Sequence, residues 1–325
     1  MPGKPIKLLH PTEMNTEQTI GTSRLSDCLG QAHALRQAGD IEGAVACGPS
    51  ILEAYFFEQN GYPLNRQKLS TFNEKLYDRM LRTHAEGCAV YSRLSDKLAV
   101  RDHVAATIGE RYLTPLIWSG EHAEDIPWDN LPEQSMLKCN EGSSKNAKLI
   151  RAPEKDKIIA CTQRWQAESY YWFRREYHYW DVPRRLMIEA IIDDAHEDGP
   201  LDYVFYCFDG VPQLIQVGSR SQTIHRFYLP AWQPVQLSYR QKFTAPTIPR
   251  PSSLEEMLQV AHELSAPFDF VRIDLYSCHG RVVFGEMTFT PRAGNIHFKP
   301  PEWNERLGQY WNYAGIPAAN PLYTP

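Results

Sequence analysis

Apolar residues recur at helical spacing near the start of the chain. Leu25, Cys28, Leu29, Ala32 and Leu35 fall on one face, with Gly39 as a fitting stop. A second helix is predicted over residues 41–57, and the pair reads as a helical cap or a dimerisation surface. Residues 1–20, with Pro2, Pro5 and Pro11, read as a loose arm. Thr71-Phe72-Asn73-Glu74 has the form of a capping box and opens the next helix, while Asp96 is placed to cap one over 97–108 that ends at Gly109. The apolar pattern then changes. Strands are expected over 112–118, 136–140 and 148–151, with an acidic, proline-containing loop at 119–133. A helix follows from Asp156 to Ala167, then a buried strand over 186–192. Strands over 202–208 and 212–218 flank Asp209-Gly210, a strong hairpin signal. Ser253-Leu254-Glu255-Glu256 has capping-box form and opens a helix to about Leu264. A last hairpin joins 268–277 to 281–289 around His279-Gly280. The order predicts an α+β protein with an antiparallel-rich sheet covered by helices.

Composition narrows the function. A chain of 325 residues has room for about two domains. Its net charge of −5 gives no global basic field for nucleic acid. The longest apolar runs are too short to span a bilayer, and residues 1–10 lack the apolar core of a signal peptide. The 7 cysteines stand singly, without a C-x-x-C pair, which argues against a disulfide framework or structural zinc and agrees with a reducing cytoplasm. Neither a Rossmann G-x-G-x-x-G nor a Walker A loop is present.

The chemistry concentrates in the last hairpin. In residues 271–276, Val, Ile and Leu alternate with Arg272, Asp274 and Tyr276, so one face enters the core and the other projects a cation and a carboxylate. On the partner strand, Glu286 and Thr288 share a face. Two carboxylates on neighbouring strands form a hard-oxygen site suited to Mg²⁺. The bland alternative, a solvated face with a cross-strand Arg–Glu pair, is equally consistent with the hairpin alone. Pairing register decides the matter. A two-residue turn at His279-Gly280 sets Asp274 opposite Gly285, whereas a three-residue loop or an equivalent bulge sets it opposite Glu286.

Lys138 lies in a strand entering the small-residue loop Gly142-Ser143-Ser144, and Lys97 and Arg101 flank a predicted helix start. The strand at 186–192 runs into Asp193-Asp194. Each of these is weak in isolation. Eight aromatic residues between Trp165 and Trp180 are interleaved with arginines; a packed interface is favoured there over a base-stacking surface.

Together these segments resemble the TupA-like ATP-grasp family of teichuronopeptide biosynthesis. The landmarks are Thr71-Phe72-Asn73-Glu74-Lys75-Leu76, Asp96-Lys97-Leu98-Ala99-Val100-Arg101, Leu137-Lys138-Cys139-Asn140, residues 202–210, and the hairpin from Phe270 to Pro291. The resemblance implies two α+β lobes with antiparallel-rich sheets holding ATP between them, plus an N-terminal helical segment over 1–60. The remaining chain would divide at 61–135, 136–195 (the ATP-binding lobe) and 196–325 (the lobe with the metal site). By the same resemblance, Lys97 and Lys138 hold the phosphates and Glu189 lines the adenine and ribose slot. Asp274, Glu286 and Thr288 would hold Mg²⁺, and Arg272 would act with Lys138 in catalysis. The implied reaction is ATP-dependent joining of a carboxylate to an amine through an acyl-phosphate. The setting would be cytoplasmic, in assembly of a cell-surface polysaccharide or peptide polymer, with a small-molecule or saccharide carboxylate, an amino acid or peptide amine, and a possible homodimer. A nucleotide-sugar glycosyltransferase and a non-catalytic ATP-binding protein are the alternatives. Four residues depart from the family pattern: Glu141 stands for a common His, Ser143 lies in a loop poorer in glycine, Val204 replaces a Lys and Arg292 replaces a Gly. Thr288 stands where the wider superfamily usually has Asn.

Overall fold

A computed structural model describes residues 24–150, 153–192, 199–219, 224–239 and 247–313. The expected arm at 1–20 and the acids Asp193 and Asp194 lie outside the described residues.

Helix α1 spans Arg24–Gln37, and Gly39 turns the chain with φ +82°. The single helix expected next is divided into α2 (Ile41–Ala46) and α3 (Gly48–Asn60). Pro49 explains the break. It has no N–H to continue the helical ladder, and the Val45 carbonyl instead accepts from His84 Nε2 at 3.0 Å and the Tyr171 hydroxyl at 3.2 Å. Helix α4 (Phe72–Glu86) begins with the expected capping box: Glu74 N–H donates to Thr71 Oγ1 and Thr71 N–H donates back to Glu74 Oε2. Helix α5 covers Ala89–Ser95 and α6 covers Val100–Thr107. Asp96 does not cap α6 itself. Its carboxylate accepts from the N–H groups of Leu98 and Ala99 and shapes the turn that leads into the helix.

Strands β1 (Leu116–Gly120), β2 (Gln134–Cys139), β3 (Asn146–Ile150) and β4 (Leu186–Ala190) form a sheet in the order β1-β4-β2-β3. The strand expected from residue 112 starts later because Tyr112 belongs to a 3₁₀ turn, Glu110–Tyr112. Helix α7 (Lys155–Ala167) covers this sheet through Ile158, which packs with Leu137, Leu149 and Ile188. A one-turn helix α8 (Tyr171–Arg174) follows. Its aromatics divide between packing and surface, Phe173 being exposed. Tyr171 is fully buried, and Arg36 and Arg175 stack over Trp172.

The second sheet uses β5 (Asp202–Phe208), β6 (Val211–Gly218), β7 (His225–Tyr228), β8 (Pro234–Val235), β9 (Phe270–Cys278) and β10 (Arg281–Thr288), in the order β10-β9-β5-β6-β7-β8. Asp209 and Gly210, at φ +47° and +75°, make the tight β5–β6 turn. Helix α9 (Leu254–Ser265) covers one face of this sheet with Met257, Val260, Ala261 and Leu264. It starts where the Ser253 pattern places it, but the Ser253 hydroxyl bonds Ser277 at 2.7 Å rather than capping the helix. The other face packs against α4 and a final helix α10 (Glu302–Tyr310) through Phe72, Leu76, Trp303 and Leu307. All pairings between described strands are antiparallel. The expected α+β architecture is therefore present: an N-terminal helical segment and two antiparallel sheets.

Candidate active site

The last hairpin turns on two residues, His279 and Gly280, and pairs Cys278 with Arg281. That register alone would send Glu286 to the wrong face. A β-bulge corrects it. Between Phe284, opposite Leu275, and Glu286, opposite Asp274, Gly285 is left without a partner. Only glycine fits there: a Cβ would lie 2.9 Å from the Asp274 carbonyl oxygen and 3.0 Å from the Tyr276 ring. One extra residue brings Asp274 and Glu286 side by side.

Arg272 holds both carboxylates. Its Nε and Nη2 donate to Asp274 Oδ1 and Oδ2 at 2.8 and 2.7 Å, and Nη2 also donates to Glu286 Oε1 at 2.7 Å. The Thr288 hydroxyl donates to the same Glu286 oxygen at 3.1 Å. Burial pushes the Asp274 carboxyl up to about 7, with Glu286 adding to the rise and Arg272 opposing it. Burial also works against ionised Glu286, but Arg272 and then Lys97 outweigh it and hold its pKa below the ordinary value. The acids are thus electrostatically distinct, as expected of like charges sharing one cation.

The first sheet supplies cations. Lys138 on β2 and Glu189 on β4 lie in a cross-strand neighbourhood, Met136 being directly opposite Glu189, and Lys138 Nζ reaches Glu189 Oε2 at 2.7 Å. Arg101 on α6 donates to the other Glu189 oxygen at 2.8 Å and to the Thr114 carbonyl. Lys97 donates to the Gly142 carbonyl at 2.5 Å; burial lowers its pKa, against the pull of Glu286. Glu141 is fully buried, ion-pairs with Lys145 and accepts the Tyr170 N–H at 2.9 Å, fastening the β2–β3 loop to the aromatic segment.

These groups meet in one cavity of about 440 Å³ between the two sheets. Lys97, Lys138, Glu189, Arg272, Asp274 and Glu286 all line it; Thr288 does not, but its hydroxyl donates to Glu286. Sequence reasoning did not single out Gln216 or Tyr239, which also line the cavity; it places Tyr276 on the Asp274 face without a role, and Arg101 carried only a weak signal. Gln216 and Tyr239 are unremarkable strand and loop residues whose placement depends on which strands become neighbours. The donor set fits a hard cation: two carboxylates and a hydroxyl, with one arginine offsetting part of their charge. Their partners in a complete shell would be phosphate oxygens and water.

Comparison with known proteins places this geometry in context. A family model described as TupA-like ATPgrasp matches residues 74–312. No curated protein matches the chain. Among solved structures, D-alanine–D-alanine ligase from Bacillus anthracis, complexed with ATP, matches at 14% identity and a TM-score of 0.37, over 71% of this chain and 66% of that one. An ATP-grasp RimK domain protein from Sphaerobacter thermophilus matches at 10% identity and a TM-score of 0.42, over 81% and 95%. The ATP-grasp ligase PsnB, complexed with minimal precursor, Mg and ADP, matches at 10% identity and a TM-score of 0.38, over 91% and 76%.

Proposed function

The chain belongs to the TupA-like ATP-grasp family, and on that premise we propose that it is an ATP-dependent carboxylate–amine ligase working through an acyl-phosphate in the cavity between its two sheets. The observation that carries this reading is the convergence of Lys97 and Lys138 from one side with Asp274 and Glu286 from the other. Lysines suit phosphate oxygens as point charges, and the bulge at Gly285 gives the carboxylates a common face.

A carboxylate is a poor electrophile because oxide would have to leave. In the proposed reaction, a carboxylate oxygen attacks the γ-phosphorus of ATP, the bond to the bridging oxygen breaks, and ADP departs. An amine then adds to the acyl carbon, its surplus proton is lost, and phosphate leaves as the amide forms. Lys97 and Lys138 hold phosphate oxygens, Glu189 faces the nucleoside, and Arg272 faces the oxyanion that develops when the amine adds. Asp274, Glu286 and Thr288 would hold Mg²⁺, which supplies charge neutralisation to the phosphate oxygens. Such catalysis is mostly positioning and fixed electrostatics, consistent with Arg272 held by both carboxylates. We assign the reaction to assembly of a cell-surface polysaccharide or peptide polymer in the cytoplasm, on the strength of the family. No described helix is long and apolar enough to cross a membrane.

The test is ADP release across a panel of amino acids, short peptides and uronic acids. Lys138→Ala should lose about a hundredfold or more in rate. Asp274→Asn and Glu286→Gln should each abolish turnover while the far-ultraviolet spectrum stays unchanged. If both carboxylate variants keep their activity at ordinary Mg²⁺, the metal assignment is wrong. An absence of substrate-dependent ADP release would favour a protein that binds ATP without turnover.

A further inference from the structure

Arg292 stands apart from the other cations of the cavity. The other lining arginines, together with Lys138 and Lys145, are ion-paired, and Lys97 is half-buried and donates to the Gly142 carbonyl. Among the described residues, no carboxylate pairs with Arg292. Its Nε donates to the Asn295 carbonyl at 3.2 Å, and its guanidinium lies 5.2 Å from the centre of the Tyr239 ring. The side chain is exposed to the cavity, so its remaining donors are accessible.

The backbone is arranged for this side chain. Arg292 is in the left-handed region, at φ +53° and ψ +23°, as is Ala293 after it. Glycine takes such a conformation readily, and other residues keep it only where the surroundings impose it. Here they do. Ala293 N–H donates to Thr290 O at 2.8 Å, Asn295 N–H donates to Arg292 O at 3.0 Å, and Gly294 packs too closely on Tyr77 for any side chain. Tyr239 is fixed in turn, its hydroxyl donating to Gln216 Oε1 at 2.7 Å. Gln216 lies opposite Val204, which lies opposite Asp274. Two strand spacings, about 10 Å, thus separate Gln216, which holds Tyr239, from Asp274, a span on the scale of one amino acid.

We propose that Arg292, braced by Tyr239, binds the free carboxylate of the amine-bearing substrate and so selects an amino acid or a short peptide over a simple amine. The proposal rests on the ligase reading and adds to it the residue that recognises the acceptor. A planar guanidinium recognises a carboxylate through two parallel hydrogen bonds. With the carboxylate anchored there, the amine of the same molecule points back along the sheet toward Arg272 and Asp274. A free amino acid and a peptide present the same carboxylate chemistry, and the experiment separates them.

The experiment is calorimetric titration of the full chain loaded with Mg²⁺ and a non-hydrolysable ATP analogue. The ligands are alanine, glutamate and glutamylglutamate, each against its C-terminal amide. At least one acid should bind, with its amide weaker by about tenfold to a hundredfold, the worth of a charge-assisted pair. Which acid binds best identifies the free amino acid or the peptide. Arg292→Gly accommodates the left-handed backbone and should fold; it should lose about the same factor for the acid and nothing for the amide. Arg292→Lys should recover part of the loss. Equal binding of acid and amide by the wild type, failure of every acid to bind, or an Arg292→Gly variant that binds acids normally would overturn the proposal. Nucleotide binding that persists in those cases leaves the ligase reading standing. Acid binding that depends on Arg292 in a protein that does not bind nucleotide would keep the subsite and remove the ligase reading.

Discussion

At the residue scale, the site is surrounded by carboxyls whose surroundings push them in different directions. Glu176 is the clearest case. It is buried, accepts a hydrogen bond from Thr290 in the segment that leads to Arg292, and burial lifts its pKa to about 7, with the Thr290 hydrogen bond opposing. The folded protein therefore keeps a proton on Glu176 that the unfolded chain releases above the ordinary carboxyl range. The stabilising contribution is full below about pH 4.5 and is lost as pH rises through about 7. Glu176→Gln removes this dependence. Relative to wild type, the variant should gain stability between pH 5 and pH 8, by at most about 1.4 kcal/mol per pH unit. Urea unfolding midpoints at the two pH values measure it, and a difference that does not change with pH would show that Glu176 is ionised in the folded protein throughout.

At the element scale, a glycine decides what β10 can do. The His279-Gly280 turn and the alternation of the strand would by themselves put Glu286 on the face opposite Asp274, and the extra residue at Gly285 reverses that outcome. Gly285→Ala forces a Cβ to within 2.9 Å of a backbone oxygen. It should cost about 1–3 kcal/mol, as overpacking does, and lower the rate of ADP release by more than the loss of folded protein explains. A variant with normal stability and turnover would remove the bulge from the account of the site. By contrast, the capping box on α4 serves structure alone: Thr71→Ala should cost about 1 kcal/mol without changing KM for ATP, and denaturant midpoints with initial rates test both halves.

At the scale of the whole molecule, a buried arginine ties the helical layer to the site-bearing sheet. Arg79 on α4 is fully buried; it donates to the carbonyls of Phe270 and Phe289 at 2.9 and 3.1 Å and to Asp269 at 2.5 Å, beneath the Trp311 ring at 4.4 Å. These partners lie at the start of β9, just after β10 and near the end of the described chain. Arg79→Met removes the guanidinium donor from two carbonyls and from Asp269, which keeps only the Trp311 indole N–H and the Phe270 N–H. It should destabilise by about 3–5 kcal/mol, the cost of breaking a buried pair, visible in the urea midpoint. A loss under about 1 kcal/mol would mean that the layers are held by apolar packing alone.

Much of this was written locally. The Thr71 capping box, the Asp209-Gly210 turn, the alternation around Arg272 and Asp274, and the order of helices and strands are short-range patterns, so the chain itself determines them. The same holds for the family, whose landmarks are runs of adjacent residues. The sequence misled where a distant partner intervened. Ser253 has the form of a helix cap but bonds Ser277 across the fold; the break in the helix expected over 41–57 is by contrast local, at Pro49, and His84 and Tyr171 only take up the Val45 carbonyl it frees. It was silent where strand neighbours set the outcome. Nothing in residues 216, 239 or 292 taken separately indicates that they share a corner of one cavity, or that four of its other cations are already paired. The register of β10 was open between two states, because a side-chain period of two makes every one-residue shift a change of face. Only the tertiary structure closed it, through a glycine whose missing side chain lets two strands approach.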